Sequence, residues 1–335
     1  DRTPAAARRL ADPAGLSIAS IRRSLLERAR RCSFSSLVSP HDAGATLDAS
    51  IGDRGADDED DAAGVPAAVA GEEGPRDGAT AGAVPAPLES DPFDGLHGAT
   101  FGTAVHEALE VALRRDAAAT FDEDAAVALD DALRRHGIAP SPTAAAGLLA
   151  AAAVPIAGGA SLRELRRDDA ATELRFSMPV AEGVDLAAVA TALAAERDGP
   201  FARWATTLAR EGRDRPLAAS LVGSIDLVTT LGGGERHHVV DYKTNLVDPA
   251  TGYGRAGLLA AMRGSDYPLQ AAIYLVALHR LLRWRLADYD PARHLGDAHY
   301  LYLRGMGART GEGVCTWSPG PAAVVALSDL LAGTS

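Results

Sequence analysis

From residue 92 onward, two hydrophobic periods alternate along the chain. Between Thr103 and Arg115 the apolar residues recur at helical spacing, with Val105, Leu109, Ala112 and Leu113 on one stripe and His106 at its edge. Two alanine-rich helices are predicted within residues 121–136 and 141–154, the second ending before Pro155. A strand is expected over Thr172–Val180, then helices over 184–196 and 200–211. The clearest period-two signal follows. Leu217–Thr230 and Arg236–Lys243 are rich in Val, Ile and Leu and flank Leu231-Gly232-Gly233-Gly234-Glu235, a hairpin turn signal. Helices over 255–262 and 268–286, a strand over 298–304 and a last helix over 320–332 complete the pattern. No internal repeat is present.

The first ninety residues read differently. Leu16–Arg31 predicts a basic amphipathic helix, followed by a Ser-rich, strand-like piece from Cys32 to Val38. Residues 41–91 contain the acidic run Asp57-Asp58-Glu59-Asp60-Asp61, have no aromatic residue, and mix Gly, Ala and Pro with isolated Ile51 and Leu88. Such a segment cannot bury enough apolar surface to fold, so it is expected to be an acidic, disordered linker.

Charge sharpens this division. The 335 residues carry a formal net charge of −12, of which His41–Asp91 supplies −11, the first forty residues +5 and the remainder −6. The globular part is only mildly acidic, so long-range attraction gives little help in binding a polyanion. Any nucleic-acid strand would have to be delivered by a partner. Cys32 and Cys315 lie at opposite ends and form no disulfide framework, which suits a reducing cytoplasmic compartment. The most apolar stretch, Ala144–Ala157, is too short to span a bilayer and is broken by Pro155, so no membrane partner is expected.

Candidate chemistry sits on the hairpin. Buried strands seldom carry charge unless it is paired or metal-bound. Yet Asp226 interrupts Val222-Gly223-Ser224-Ile225-Asp226-Leu227-Val228, and Asp241 and Lys243 close Val239-Val240-Asp241-Tyr242-Lys243. A two-residue turn at Gly233-Gly234 would set Asp226 opposite Asp241 and Ser224 opposite Lys243, with two carboxylates and one ammonium converging on one face. A one-residue slip would destroy that arrangement. Adjacent carboxylates repel unless a cation lies between them, and aspartate oxygens suit magnesium, which shares its shell with phosphate. A salt-bridged hairpin end accounts for the same spacing. Lys243 is the only lysine beside thirty-two arginines. A site that needs a compact ammonium rejects the larger, planar guanidinium.

Gly223-Ser224-Ile225-Asp226-Leu227-Val228, a hairpin, and Asp241-Tyr242-Lys243-Thr244-Asn245 resemble the PD-(D/E)XK nuclease motif in its RecB-type form. The similarity continues through Tyr267-Pro268-Leu269-Gln270, Tyr274, Ala277-Leu278-His279-Arg280, Ala287-Asp288-Tyr289-Asp290 and His299-Tyr300-Leu301-Tyr302-Leu303-Arg304-Gly305. It covers roughly residues 95–330 and is dense over 220–305. The resemblance implies an α/β, restriction-endonuclease-like fold: a central mixed sheet flanked by helices, with additional N-terminal helices. It implies a metal-dependent exodeoxyribonuclease that uses Mg2+, or Mn2+ in its place, while Ca2+ binds and supports little cleavage.

Carried over by residue, Asp226 and Asp241 match the metal-binding acids, Lys243 the catalytic lysine and His106 a histidine ligand. The Tyr242 carbonyl matches a further metal contact. Glu173 matches an accessory acid, although a strand-edge charge also explains it. Gln270 and Tyr274, one helical turn apart, and Tyr267 before them would brace the DNA backbone or the lysine; ordinary helix packing explains them as well. Serine at 224, where relatives often carry an aromatic, and the long acidic linker are departures. The implied partners are DNA, mainly single strands delivered by a helicase, and RecC-like and RecD-like subunits, in double-strand-break processing and recombinational repair.

No GxxxxGK[ST] phosphate loop is present, so residues 1–40 read as the tail of a preceding helicase region, 41–91 as a tether and 92–335 as the nuclease domain. Two rival readings remain. One is an inactive nuclease fold acting as a DNA-binding or assembly module, which loss of Asp226, Asp241 or Lys243 would have favoured. The other is an AddAB-type nuclease domain. Such domains typically sit beside an iron–sulfur cluster, which two distant cysteines cannot ligate.

Overall fold

The structure is a computed structural model that describes residues 31–33, 91–114, 121–156, 160–195, 199–211, 217, 219–307 and 312–334. In chain order its elements are β1 (Arg31–Ser33), α1 (Ala99–Arg114), α2 (Phe121–Arg135), α3 (Pro142–Ala152) and β2 (Ala170–Pro179). There follow α4 (Leu186–Ala194), α5 (Ala202–Glu211), β3 (Ser220–Thr230), β4 (His237–Lys243), α6 (Arg255–Gly264) and α7 (Tyr267–Arg285). The chain continues through α8 (Pro291–His294), β5 (Leu295–Tyr302), β6 (Val314–Trp317) and α9 (Pro321–Ala332). Of the helix expected over Leu16–Arg31, Arg31 instead opens β1 by pairing with β3, while residues 16–30, the strand-like residues 34–38 and the linker up to residue 90 lie outside the described residues.

Strand alternation sorts the side chains of the six-stranded mixed sheet into two cores. Val239, Tyr300 and Tyr302 join one core, with α4, α6, α7 and α9; Val240, Tyr242, Leu301 and Leu303 join the other, with α1, α2 and α3. Helix α7 is apolar nearly all round, and accordingly most of its length is buried. Together with α6 it carries the chain from β4 to β5, the long crossover that a parallel pair requires. On α1, Phe101, Leu109 and Leu113 face the second core and are almost fully buried, each contributing about 1.5–3 kcal/mol. That stripe fixes the helix roll, and with it the direction of His106.

The expected α/β sheet flanked by helices is the observed one, with two differences in its strands. The short β6 carries no periodic signal and becomes a strand only by pairing with β5. The strand expected over 298–304 begins at Leu295 and gives way to a 3-10 turn at Leu303–Gly305. The hairpin also departs from a two-residue turn. Pairing closes at Thr230–His237, and residues 231–236 form the loop, with a 3-10 turn at Leu231–Gly233 and positive φ at Gly232 (66°) and Gly233 (71°). Leu231 buries against the second core and draws the chain out of the ladder before the glycines are reached.

Candidate active site

Strand β3 has more neighbours than it has edges. It pairs with β2 along most of its length, while β4 takes residues 227–230 and β1 takes residues 220–222. The β3–β4 ladder ends at Leu227–Val240, so the two strands fork at the next position. Asp226 stands there, and continuing the observed register sets it against Asp241. The expected Ser224–Lys243 pair does not form. Ser224 pairs with Arg175 of β2 and Lys243 with Tyr302 of β5, because the strands have already diverged.

The fork turns backbone groups into ligands. Tyr242 N donates to Asp226 Oδ2 at 2.8 Å, in place of a ladder bond. Above it, His106 Nε2 lies 3.0 Å from the Tyr242 carbonyl oxygen and Nδ1 lies 3.5 Å from Asp226 Oδ2. A carbonyl only accepts, so Nε2 carries a proton, and the carboxylate draws a second proton onto Nδ1. Burial by itself would lower the His106 pKa; the Asp226 charge and hydrogen bond, helped by Asp241, outweigh it and raise it to about 9. Burial pushes the Asp226 pKa up, but the His106 charge and the hydrogen bonds hold it below the ordinary carboxylate value.

Glu173 occupies the β2 position that faces Asp226, between the pairs Thr172–Leu227 and Leu174–Ile225. It is the one non-glycine among the described residues with positive φ, 49°, a strained conformation that breaks the ladder locally. Its Oε2 accepts a 2.8 Å hydrogen bond from Ser224 Oγ, while burial and the Asp226 charge raise its pKa. One ligand atom from each of His106, Glu173 and Asp226 falls within 4.8 Å of the others.

The Asp241 side of the fork is dressed differently. Burial pushes its pKa up to about 7; Lys243, with Nζ 3.1 Å from Oδ2, lowers it only in part, and Asp226 adds repulsion. Lys243 is 6% exposed, so its ammonium is held inside the protein. Nζ lies 4.0 Å from the centre of the Tyr267 ring and 5.7 Å from that of Tyr300. Aromatic faces of this kind stabilise a partly desolvated cation. Tyr300 in turn donates to Gln270 Oε1 at 2.8 Å and to the Tyr267 carbonyl at 3.2 Å. Gln270 thus braces an aromatic wall of the lysine pocket from within the core. Tyr274 is buried edge-on against Phe176, with ring centres 5.8 Å apart.

Two contributors lay beyond the roles assigned from sequence. Tyr300 completes the lysine pocket. Arg304, 3% exposed, donates to the Thr244 carbonyl at 2.5 Å, to Asp91 Oδ2 at 2.6 Å, and to the carbonyls of Phe93 and Leu96. It ties the segment leading into α1 to the end of β4, and so fixes His106 relative to Lys243. The only local signal was a charge directly after the apolar run Tyr300–Leu303.

A family model described as the PD-(D/E)XK nuclease superfamily matches residues 82–322. The chain is 45% identical over 267 residues to the RecBCD enzyme subunit RecB of Mycobacterium tuberculosis, covering 70% of this chain and 24% of that protein. The corresponding subunit of Mycolicibacterium smegmatis is 39% identical over 283 residues, covering 74% and 25%. That of Escherichia coli is 32% identical over 177 residues, covering 52% and 14%. The chain therefore spans about a quarter of the length of the two mycobacterial relatives.

Proposed function

The chain belongs to the PD-(D/E)XK nuclease superfamily and carries a nuclease domain of the RecB type; on that premise we propose that it hydrolyses DNA phosphodiesters with Mg2+ held at the β3–β4 fork. The observation that carries this reading is the meeting of Asp226, Asp241, Lys243 and His106 where the ladder breaks.

The donor set fits a hard divalent cation. His106, Glu173 and Asp226 bring donor atoms within 4.8 Å of one another beside the Tyr242 carbonyl, and Asp241 stands near enough to be repelled by the Asp226 charge, its pKa pushed up to about 7 by burial. Asp226, Asp241, the Tyr242 carbonyl and His106 would hold the ion, with Glu173 as an accessory. When bound, the cation supplies charge neutralisation and a better nucleophile. His106 must surrender one proton to become a ligand; loss of the Nδ1 proton releases the Asp226 oxygen, while Nε2–H still donates to the Tyr242 carbonyl, which keeps a second lone pair. Lys243 orients the attacking water and offsets charge developing on the phosphate; Tyr267 and Tyr300 keep it from swinging away. Gln270 supports that wall through Tyr300, and Tyr274, one helical turn on, packs behind it against Phe176. Mn2+ substitutes for Mg2+, and Ca2+ binds with little turnover because its looser shell places water poorly.

The relatives' place as subunits of the RecBCD enzyme supports a complex with RecC-like and RecD-like subunits; on this reading the substrate is DNA, mainly single strands fed by a helicase and cut exonucleolytically. The acidic balance of the globular part agrees with delivery by a motor, because it offers little long-range attraction to DNA. On this reading residues 1–40 are the tail of the helicase region, 41–91 a tether and 92–335 the nuclease domain. No helix among the described residues is long and apolar enough to cross a membrane.

The test is cleavage of an end-labelled single strand by the chain in Mg2+. Asp226→Asn keeps an acceptor for Tyr242 N, so it should fold normally and lose activity, as should Asp241→Asn. No cleavage by the parent in Mg2+ or Mn2+, or undiminished cleavage by Asp241→Asn, would overturn the proposal.

A further inference from the structure

Three positions before Asp241, and on the opposite face of β4 by strand alternation, lies a second group of ligand-type side chains that the nuclease reading does not use. His238, Asp297 and His299 each present one donor atom, and these atoms lie within 4.8 Å of one another. A bulge builds the group. Pairing runs from His237–Leu295 to Val239–Ala298, so β5 sets Gly296 and Asp297 against the single residue His238. A Cβ at position 296 would stand 2.6 Å from the His237 carbonyl oxygen and 2.7 Å from His238 Nδ1, so only glycine lets β5 close onto that ring. Asp297 and His299, two residues apart, then share a face with it.

His238 Nδ1 lies 3.1 Å from His299 Nε2. Two imidazole nitrogens facing each other at that distance share either a proton or a cation. Two nitrogens bound to a tetrahedral zinc, each at about 2.0–2.1 Å, stand roughly 3.3–3.4 Å apart, so a small ring rotation suffices. Burial, reinforced by His238, holds the His299 pKa down to about 3, and burial also lowers that of His238, so both rings are neutral near pH 7. The far side of His299 is prepared as well. Its Nδ1 is 2.9 Å from Thr316 Oγ1 on the neighbouring β6. A hydroxyl donates to Nδ1 when Nε2 carries the proton, and accepts from Nδ1–H when Nε2 is a ligand. The second case is the outer hydrogen bond that orients metal-bound histidines. A cation would displace the 3.1 Å hydrogen bond from Asp297 N to His238 Nδ1, and the half-buried Asp297 carboxylate offers charge in exchange.

We propose that His238, Asp297 and His299 form a site for a zinc-class divalent cation, separate from the oxygen-rich fork, that cross-links β4 to β5 behind Asp241 and Lys243. Two imidazoles and one carboxylate favour zinc, cobalt or nickel over magnesium.

The test uses the full chain carrying Asp226→Asn and Asp241→Asn, so that the fork does not compete for metal. The stripped protein is dialysed against zinc in excess magnesium and its metal content counted, and cobalt is added separately to read tetrahedral visible absorption. One zinc per chain should be retained, and a hundredfold excess over Kd should raise the melting temperature by roughly 5–10 °C. Thr316→Val should weaken zinc by about 10–100-fold, and His238→Asn should abolish both retention and the melting shift. Asp297→Asn, half-buried and isosteric, should also lose zinc, and it decides the matter if His238→Asn does not fold. No retained zinc in the background protein, or retention unchanged by Asp297→Asn and Thr316→Val, would overturn the site and leave a hydrogen-bonded chain from Thr316 through His299 to His238.

Discussion

The fork at Asp226, between β3 and β4, and the bulge at His238, between β4 and β5, share the strand β4, yet they treat charge in opposite ways. At the fork the ladder has ended, and its unpaired main chain serves the side chains: Tyr242 N steadies the Asp226 carboxylate and the Tyr242 carbonyl receives His106. Asp226 and His106 keep their charges through burial there because each is the other's immediate opposite. At the bulge the ladder resumes on both sides, and His299 finds only neutral partners, Thr316 and His238. Burial then neutralises the rings. The difference teaches where a sheet can hold a hard cation. Interrupted pairing frees a backbone oxygen and stabilises a carboxylate, whereas the bulge, with the ladder resumed on both sides, offers mainly side-chain nitrogens.

The largest effect should come from emptying one region while sparing the other. Asp226→Asn with Asp241→Asn should abolish magnesium binding by calorimetry and slow single-turnover cleavage on the order of 10³-fold or more. His238→Asn should leave the magnesium titration unchanged. If it weakens magnesium equally, the two regions are one site and the contrast fails.

Next comes Lys243→Arg. The pocket between Asp241, Tyr267 and Tyr300 fits an ammonium, and a guanidinium would overfill it and grip Asp241 in a bidentate pair. Cleavage should fall roughly 10²–10³-fold, nearly as far as in Lys243→Ala. Activity within a few-fold of the parent would show that only bulk charge is needed.

Gly296→Ala should reverse the balance between stability and activity. The added Cβ meets backbone at 2.6 Å, so the bulge must open at a cost of about 1–3 kcal/mol in a denaturant melt. Cleavage below the new melting temperature should drop only a few-fold, because Asp241 and Lys243 lie beyond the bulge. An unchanged melt would mean that β5 does not close on His238.

The smallest effect is a slope. His106 holds its proton up to about pH 9 in the folded chain, against 6.5 ordinarily, so its contribution is complete below about 6.5 and is lost as pH rises to about 9. Asp241, raised from 3.8 to about 7, adds a loss that ends near 7. Asp226, held low, contributes stability that is fully present above the ordinary carboxylate range and is lost only as pH falls below it, so it adds no slope here. His299 acts in the other direction, and its contribution is complete by about 6.5. Above about pH 6.5, therefore, the metal-free chain should melt progressively lower, and His106→Asn should flatten that decline. Magnesium needs the deprotonated donors, so its stabilising shift should grow over the same interval. A decline that persists in His106→Asn would remove the fork as its source.

Much of the fold was legible because two short-range signals agreed. The stripe at Val105, Leu109, Ala112 and Leu113 marked α1, and runs rich in Val, Ile and Leu marked β3 and β4. Asp226, Asp241 and Lys243 stood out because charge inside such runs demands a partner, and the lone lysine singled out a position that is buried beside Asp241 and two tyrosine rings. The register of the hairpin was legible too, from Thr230–His237 to Leu227–Val240, although the turn was wider than its glycines implied and the strands part before Asp226 and Asp241 can pair. Glu173 could be named from the resemblance, but its positive φ could not, since that strain arises only where β2 faces the fork.

What the sequence determined by itself is therefore local: the elements, their buried faces, and the residues whose chemistry is out of place on them. Tertiary structure alone decided where pairing stops and what fills the gap. Arg304 finds Asp91, Phe93 and Leu96 more than two hundred positions away in the chain. Tyr300 joins the lysine pocket because β5 lies parallel to β4. His238, Asp297 and His299 meet because one extra residue in β5 must be accommodated against β4. Periodicity is set by neighbours a few residues apart, whereas an interruption in a ladder is a property of two strands at once, and no stretch of either strand encodes it alone.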